Sequence, residues 1–349
     1  MRAVWIGKKS TCATRPPQAR RKTMPQNQQT DIVVLLPVNT EQRRILEQAA
    51  PQAVFHYLPE TGLDAGQQQL LRQASIIVGN PPPALLKDCP RLGLLQLQSA
   101  GTNAYLDGVL PPGCRLANAT GAYGLAISEH MLGVLLQIYK KLADYRDSQY
   151  RCQWKDAGTV KSVYGATVLI VGLGDIGGEF AKRVKALGAY TIGLRRQDLR
   201  KPDYLDELHL SNKLEELLPR ADVVALCLPE TAQTKGLIGR RQLALLQPEA
   251  VVLNVGRGSA IDTEALCDAL EATPTLFAGL DVTDPEPLPP DHRLWRLKNA
   301  FITPHVSGGH HLPETFARIV QISAHNIQAY LDGRPLRSEV DFSTGYRSL

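Results

Sequence analysis

Residues 166–188 hold the feature that most limits what this chain can become. An uninterrupted apolar run, Ala166 to Val171, ends in Gly172-Leu173-Gly174-Asp175-Ile176-Gly177, and apolar residues then recur at helical spacing (Ile176, Phe180, Val184, Leu187) before Gly188 closes the segment. Thr167 to Val171 reads as a strand buried on both faces, and Ile176 to Leu187 as an amphipathic helix. The glycines between them suit a strand-turn-helix cradle for a dinucleotide. Gly172 allows the tight turn, Gly174 lets the backbone approach a pyrophosphate, and Gly177 lets the helix lie close on the strand. The helix N-terminus then presents N–H groups that have no partner inside the helix. Gly172, Gly174, Asp175, Ile176 and Gly177 are therefore candidate cofactor contacts.

A second strand, Tyr190 to Leu194, is followed by Arg195 and Arg196. In such cradles this position normally holds an acid that binds the adenosine ribose 2′-hydroxyl. A carboxylate would repel a 2′-phosphate, whereas a guanidinium pairs with it bidentately. The sequence thus favours NADP(H) over NAD(H), the alternative being two solvated arginines with no part in the choice.

Strands and helices alternate along most of the chain. Asp31 to Pro37, Ala53 to Tyr57, Ser75 to Gly79 and Leu94 to Leu97 read as strands, with helices at Glu41 to Ala50 and Gly66 to Ala74. A glycine-bearing bend over 118–124 leads into a long helix, Ile127 to Tyr145. Short apolar strands follow at Val223 to Leu228, Val251 to Val255 and Phe277 to Leu280, and a last helix runs from Pro313 to Leu331. The alternation predicts an α/β fold with parallel sheets covered on both faces, and 349 residues are more than one core usually serves, so two domains are expected. Ligands of such sheets sit outside the carboxyl ends of the strands, which directs Pro229, Gly256, Arg257 and Asp281 toward one cleft. Arg257, Glu286 and His305 add a fixed cation, a carboxylate and a titratable imidazole. These are the minimum needed to place a hydride and a proton on a carbonyl beside a carboxylate.

The formal charge of +5 misleads, because the first thirty residues carry Arg2, Lys8, Lys9, Arg15, Arg20, Arg21 and Lys22 without one acid, leaving the remainder net negative. A nucleic-acid surface would need a basic stripe on the folded part, and none is present. Residues 1–30 have no apolar run long enough for a signal peptide or a membrane span and read as a disordered extension, either upstream of a start at Met24 or a transit-type segment. The six cysteines form no paired framework, which suggests free thiols in a reducing compartment and hence the cytoplasm. His305, His310 and His311 invite a metal reading, but no carboxylate or cysteine stands at ligand spacing beside them, so no metal is expected.

Seven motifs occur in the order found in the D-2-hydroxyacid dehydrogenases. They are Leu97-Gln98-Ser99-Ala100-Gly101-Thr102-Asn103, Ala126-Ile127-Ser128-Glu129-His130, the glycine cradle, Leu228-Pro229-Glu230-Thr231, Asn254-Val255-Gly256-Arg257-Gly258, Asp281-Val282-Thr283-Asp284-Pro285-Glu286-Pro287, and Thr303-Pro304-His305. The chain resembles that family over nearly all of residues 31–345. The resemblance implies a Rossmann-type NAD(P)-binding domain (119–306) inserted into a flavodoxin-like substrate domain (31–118 with 307–349), and a homodimer formed through the cofactor domains. It further implies that Arg257 holds the substrate carboxylate and polarises the carbonyl, that His305 is the general acid, and that Glu286 orients it. Ser99, Ala100 and Gly101 would bind the carboxylate through backbone N–H groups. Leu228, Pro229, Thr234, Val255 and Asp281 would line the cofactor, Asp281 near the nicotinamide carboxamide. The activity implied is reduction of a small 2-keto acid, with glyoxylate or hydroxypyruvate as plausible substrates. The alternative is a non-catalytic dinucleotide-sensing interaction protein, like the corepressors that share this fold. Arg195 in place of an acid departs from the family's commonest pattern and bears on the cofactor, not on the fold.

Overall fold

The structure, a computed structural model, describes residues 29–106, 108–197, 200–309 and 312–342. The expectation for the leading segment, up to residue 28, and the histidines at 310 and 311 lie outside the described residues. Gln29 and Thr30 already belong to the fold: the Arg91 guanidinium donates to the Gln29 carbonyl at 2.9 Å, and Val54 N–H to that of Thr30 at 2.9 Å.

The first half builds a parallel sheet from β1 (Asp31–Val34), β2 (Val54–Tyr57), β3 (Ile76–Val78), β4 (Leu94–Gln96) and β5 (Arg115–Ala117), in the order β2-β1-β3-β4-β5. This is the flavodoxin-like order, whose direction reverses between β1 and β3. Helices α1 (Thr40–Ala49) and α2 (Ala65–Gln73) each open on a capping box, Asn39 with Gln42 and Asp64 with Gln67, which satisfies the first orphan N–H groups reciprocally. The central strands β1 and β3 are buried almost throughout, as strands covered on both faces must be.

Next come α3 (Gly124–Tyr139) and α4 (Leu142–Tyr150), where the sequence predicts one long helix. The helix breaks because Lys141 adopts a left-handed conformation, φ 54°, while the two lysines at the break are drawn to a following loop. Lys140 Nζ donates to the Lys161 carbonyl at 2.6 Å, and Lys141 Nζ to that of Ala157 at 2.6 Å. Helical periodicity carries no trace of those distant acceptors.

The second half is a seven-stranded parallel sheet. Its strands are β6 (Thr167–Val171), β7 (Tyr190–Arg195), β8 (Glu207–Leu210), β9 (Val223–Leu226), β10 (Val251–Asn254), β11 (Phe277–Leu280) and β12 (Ala300–Ile302), ordered β12-β11-β10-β9-β6-β7-β8. The order reverses between β6 and β9, so a crevice opens at their carboxyl ends. Helix α5 (Asp175–Ala186) follows β6 and packs on α3, and α6 (Leu214–Leu217), α7 (Arg240–Leu243) and α8 (Thr263–Ala272) complete this half. The last helix, α9 (Pro313–Leu331), returns to the first sheet, where it packs on α1 and β4. The segment beyond it is tied there by buried Asn326, whose side chain bonds Gln96 at 2.6 Å and the Arg337 carbonyl at 2.9 Å.

Candidate active site

The glycine turn divides three physical tasks among its glycines. Gly172 has φ +100°, and a Cβ there would lie 2.7 Å from the Cys227 carbonyl oxygen and 2.9 Å from Leu228 Cδ2, so the turn can abut β9 only with glycine. A Cβ on Gly177 would stand 2.0 Å from the Gly172 oxygen, which makes that position the close contact of helix and turn. At Gly174 a Cβ would meet nothing within 4 Å, so this glycine faces open space. Gly174 also starts α5 without any side-chain cap, and the N–H groups of the first turn point out of the helix toward the crevice mouth. A dinucleotide pyrophosphate fits this surface. Asp175 offers it backbone alone: its Oδ2 accepts from Gly124 N–H at 2.8 Å and Gly121 N–H at 3.2 Å, tying the start of α3 to α5. Ile176 likewise turns its side chain to the core.

Around the cradle, Thr234 Oγ1 donates to the Pro229 carbonyl at 2.7 Å and accepts from Thr231 N–H at 2.9 Å, closing the loop that begins with Leu228 and Pro229. Buried Val255 prolongs β10. Arg195 ends β7, beside the glycine turn, since Gly172 N–H donates to the Leu194 carbonyl at 3.0 Å; Arg195 is half-buried and Arg196 exposed.

Across the cleft, the loop over 99–101 follows β4. Ser99 Oγ donates to the Gly101 carbonyl at 2.8 Å, and Asn118 Nδ2 to that of Ala100 at 2.8 Å. Both carbonyls are thus held, while no group among the described residues accepts from the N–H of Ala100 or Gly101. The Ser99 hydroxyl is engaged within the loop, so the loop offers an anion backbone N–H groups. Arg257, beyond β10, reaches it: a Cβ on Gly101 would lie 2.3 Å from Arg257 Nη2. The guanidinium is aimed by its Nη1, which donates to the Gly256 carbonyl at 2.7 Å, and Asn254 Nδ2 fixes the Arg257 carbonyl at 2.9 Å. A planar cation against two N–H groups is a receptor for a carboxylate.

His305 stands on the turn after β12, and its Nδ1 lies 2.6 Å from Glu286 Oε1. A carboxylate accepts there only if Nδ1 carries the proton, so Nε2 is the ring atom left for a substrate. The residue has φ +52°, a left-handed conformation that costs a side-chain-bearing residue about 1–2 kcal/mol and tends to mark functional positions. Asp281, at the end of β11, enforces it. Its buried carboxylate accepts from Thr303 Oγ1 at 2.6 Å, Val306 N–H at 3.0 Å, Ser307 N–H at 3.1 Å and, in a short bond, the Ser307 hydroxyl, while its carbonyl accepts from His305 N–H at 2.8 Å. His130 of α3 supports the same knot, with Nε2 3.2 Å from Thr303 Oγ1. Asp281 is therefore the anchor of the histidine turn, a task that its sequence position at a strand end did not indicate. Thr303, Ser307, Asn118 and Asn254 escape sequence reasoning for the same cause: the first two hold the Asp281 carboxylate and the last two hold backbone carbonyls, and nothing periodic marks them.

Because β10, β11 and β12 are neighbours, Arg257, Asp281 and His305 leave adjacent strand ends on one edge. Fold and site together define a nucleotide-dependent dehydrogenase. The family model "D-isomer specific 2-hydroxyacid dehydrogenase, NAD binding domain" matches residues 132–307. A glyoxylate reductase of Thermococcus gammatolerans is 32% identical over 259 residues, 70% of this chain and 75% of that one. A crystal structure of a D-isomer specific 2-hydroxyacid dehydrogenase family protein from Aeromonas salmonicida superposes with a TM-score of 0.79 at 31% identity, covering 90% of this chain and all (100%) of that one. An NADPH-dependent glyoxylate/hydroxypyruvate reductase of Sinorhizobium meliloti, solved with NADP and sulfate, gives a TM-score of 0.77 at 25% identity, covering 91% and 100%. The chain belongs to the D-isomer specific 2-hydroxyacid dehydrogenase family and is an NAD(P)-dependent oxidoreductase of that class.

Proposed function

We propose that this enzyme reduces a small 2-keto acid, such as glyoxylate or hydroxypyruvate, to the D-2-hydroxy acid, with NADPH used in preference to NADH. The observation that carries the reading is the 2.6 Å His305–Glu286 pair, on a turn after β12 fixed by Asp281, with only β11 between that strand and β10, which leads into Arg257. When bound, the nicotinamide supplies the hydride. Arg257, with the N–H groups of Ala100 and Gly101, holds the substrate carboxylate. The same guanidinium faces the carbonyl oxygen, where negative charge grows, so it stabilises the transition state more than the ground state. His305 Nε2 gives its proton to that oxygen, and Glu286 keeps the ring in the productive tautomer and stabilises the imidazolium. The non-catalytic, nucleotide-sensing alternative is not favoured, because the relatives reported above are named as reductases.

Arg195 and Arg196 support the cofactor preference through their place at the end of β7, and the Sinorhizobium relative was solved with NADP. We assign residues 119–306 to the cofactor domain and 31–118 with 307–349 to the substrate domain, with a homodimer formed through the former. The cytoplasm suits the five described cysteines, all unpaired, three of which, Cys89, Cys114 and Cys227, burial pushes up to about 11, 12 and 12. No helix among the described residues is long and apolar enough to cross a membrane.

Steady-state kinetics of the wild type and Arg195→Asp, with both cofactors and a panel of 2-keto acids, test the reading. A charge-assisted bond to a 2′-phosphate is worth about 1.5–3 kcal/mol, so kcat/KM should be roughly tenfold or more higher with NADPH and should reverse in Arg195→Asp. Equal efficiency with the two cofactors in the wild type would make both arginines ordinary surface charges.

A further inference from the structure

At the carboxyl edge of the five-stranded sheet, three strand ends bring together polar groups that the chemistry above does not use. Glu60 follows β2, Asn80 follows β3 and Gln98 follows β4. Gln98 is 5% exposed, and every group on it except one is engaged. Its side-chain Nε2 donates to Glu60 Oε1 in a short bond, its backbone N–H donates to Asn80 Oδ1 at 3.1 Å, and its carbonyl accepts from the Tyr123 hydroxyl at 2.5 Å. The side-chain oxygen, Oε1, is buried with no donor. Turning the amide over would not help, because the oxygen would then face the Glu60 carboxylate. A buried acceptor without a donor costs about 1–3 kcal/mol, so such an atom calls for a partner from outside.

Two other buried hydroxyls among the described residues share this condition, Ser75 and Thr315, but neither lies at this edge. Ser75 precedes β3, at its amino end, and Thr315 is in α9. Gln98, in contrast, stands directly before the 99–101 loop that receives the carboxylate. Tyr105, on the short helical turn just after that loop, cannot supply the donor: its hydroxyl donates to the Pro81 carbonyl at 2.9 Å. Burial, reinforced by the negative charge of Glu60, pushes that hydroxyl up to about 12, so it stays neutral, and the field of Glu60 reaches the cluster.

We propose that Glu60 and Gln98 form the subsite for the substrate's tail, the part beyond the carbonyl carbon, and that they select a hydroxyl on the third carbon and reject a second anion there. This rests on the function proposed above and narrows its substrate class. A hydroxyl donates to Gln98 Oε1 or Glu60 and leaves no buried acceptor unmet. A methyl leaves the acceptor orphaned. A phosphate or carboxylate brings its negative charge against Glu60 with no cation in the cluster to offset it.

The test uses the full-length enzyme with NADPH and four keto acids: glyoxylate, which has no tail, pyruvate, hydroxypyruvate and its 3-phosphate. Each kcat/KM is read as a ratio to that of glyoxylate in the same protein, so a general loss of activity cancels. Hydroxypyruvate should exceed pyruvate by about tenfold or more, and the 3-phosphate should fall about a hundredfold below hydroxypyruvate. Glu60→Gln removes the charge and should recover about tenfold for the 3-phosphate, while Gln98→Leu should bring hydroxypyruvate and pyruvate within about twofold. Brisk glyoxylate turnover with no discrimination between hydroxypyruvate and pyruvate, or with the 3-phosphate accepted equally, overturns the tail subsite and leaves the reductase reading intact. No turnover of any of the four with either cofactor overturns both.

Discussion

In the role proposed for it, His305 combines two demands that work against each other, since the ring must be held by Glu286 yet stay open to a substrate. The side chains of the pair are 46% and 41% exposed, so neither is locked by burial, and their 2.6 Å contact is maintained by the backbone beneath them. That backbone is the left-handed turn clamped by Asp281. An imidazole can both give and take a proton, and a positioned acid contributes about 10²–10⁴-fold. His305→Ala should therefore lower keto-acid reduction by that range while leaving NADPH affinity, measured by nucleotide fluorescence, near wild type. More than about a tenth of wild-type turnover in the variant would remove His305 from the role of acid. The candidate positions were legible in the sequence because each is a chemical oddity in its setting: glycines after an apolar run, an arginine in a glycine turn, a glutamate between prolines, a lone histidine after Thr303-Pro304. The groups that aim them were not, because Asn118 or Ser307 acts on a carbonyl or a carboxylate that only the fold brings near.

Among the elements, buried strands such as β6 and β11 fall where their unbroken apolar runs place them, since a strand covered on both faces has no other way to read. The edge strands β5, β8 and β12 were not expected, being short and partly exposed. What fixes β8 is charge more than packing. Glu207 pairs with Arg220 in a short bond, with His209 at 2.7 Å and with the Tyr190 hydroxyl at 2.9 Å, and Arg220 chiefly holds the Glu207 carboxyl down to about 2. A carboxyl whose folded value lies below its unfolded one, about 4.3, stabilises the fold above that unfolded value, and the contribution fades as pH falls toward the folded one. Arg220 is 46% exposed, so salt and solvent screen the pair and the effect is modest. Glu207→Gln should lower Tm at neutral pH, and the gap to wild type should shrink steadily as the pH is taken from about 5 toward 3. A gap independent of pH in thermal melts would show that Glu207 acts by packing alone.

At the scale of the whole molecule, the cofactor half carries apolar surface that its own core leaves uncovered. Tyr150 is 72% exposed, Trp154 106% and Tyr164 79%, with Leu142 and Val160 beside them in sequence, all on α4 and the segment leading to β6. Large exposed aromatics gathered on one arm are costly in an isolated chain and typical of the centre of a protein–protein interface. The segment starts at the break at Lys141, and the carbonyls that hold Lys140 and Lys141, those of Lys161 and Ala157, belong to its far end. The homodimer proposed above would account for this surface, because a two-fold pairing lets each arm cover the other's aromatics with the same residues. The wild type should then run as a dimer in light scattering coupled to gel filtration, and the double variant Tyr150→Glu, Trp154→Glu as a monomer. Neither residue touches the glycine cradle or the Arg257 edge, and the charges enter exposed positions, so the variant should remain folded by circular dichroism. A wild type that stays monomeric at micromolar concentration, or a variant that still dimerises, would move the interface away from this arm.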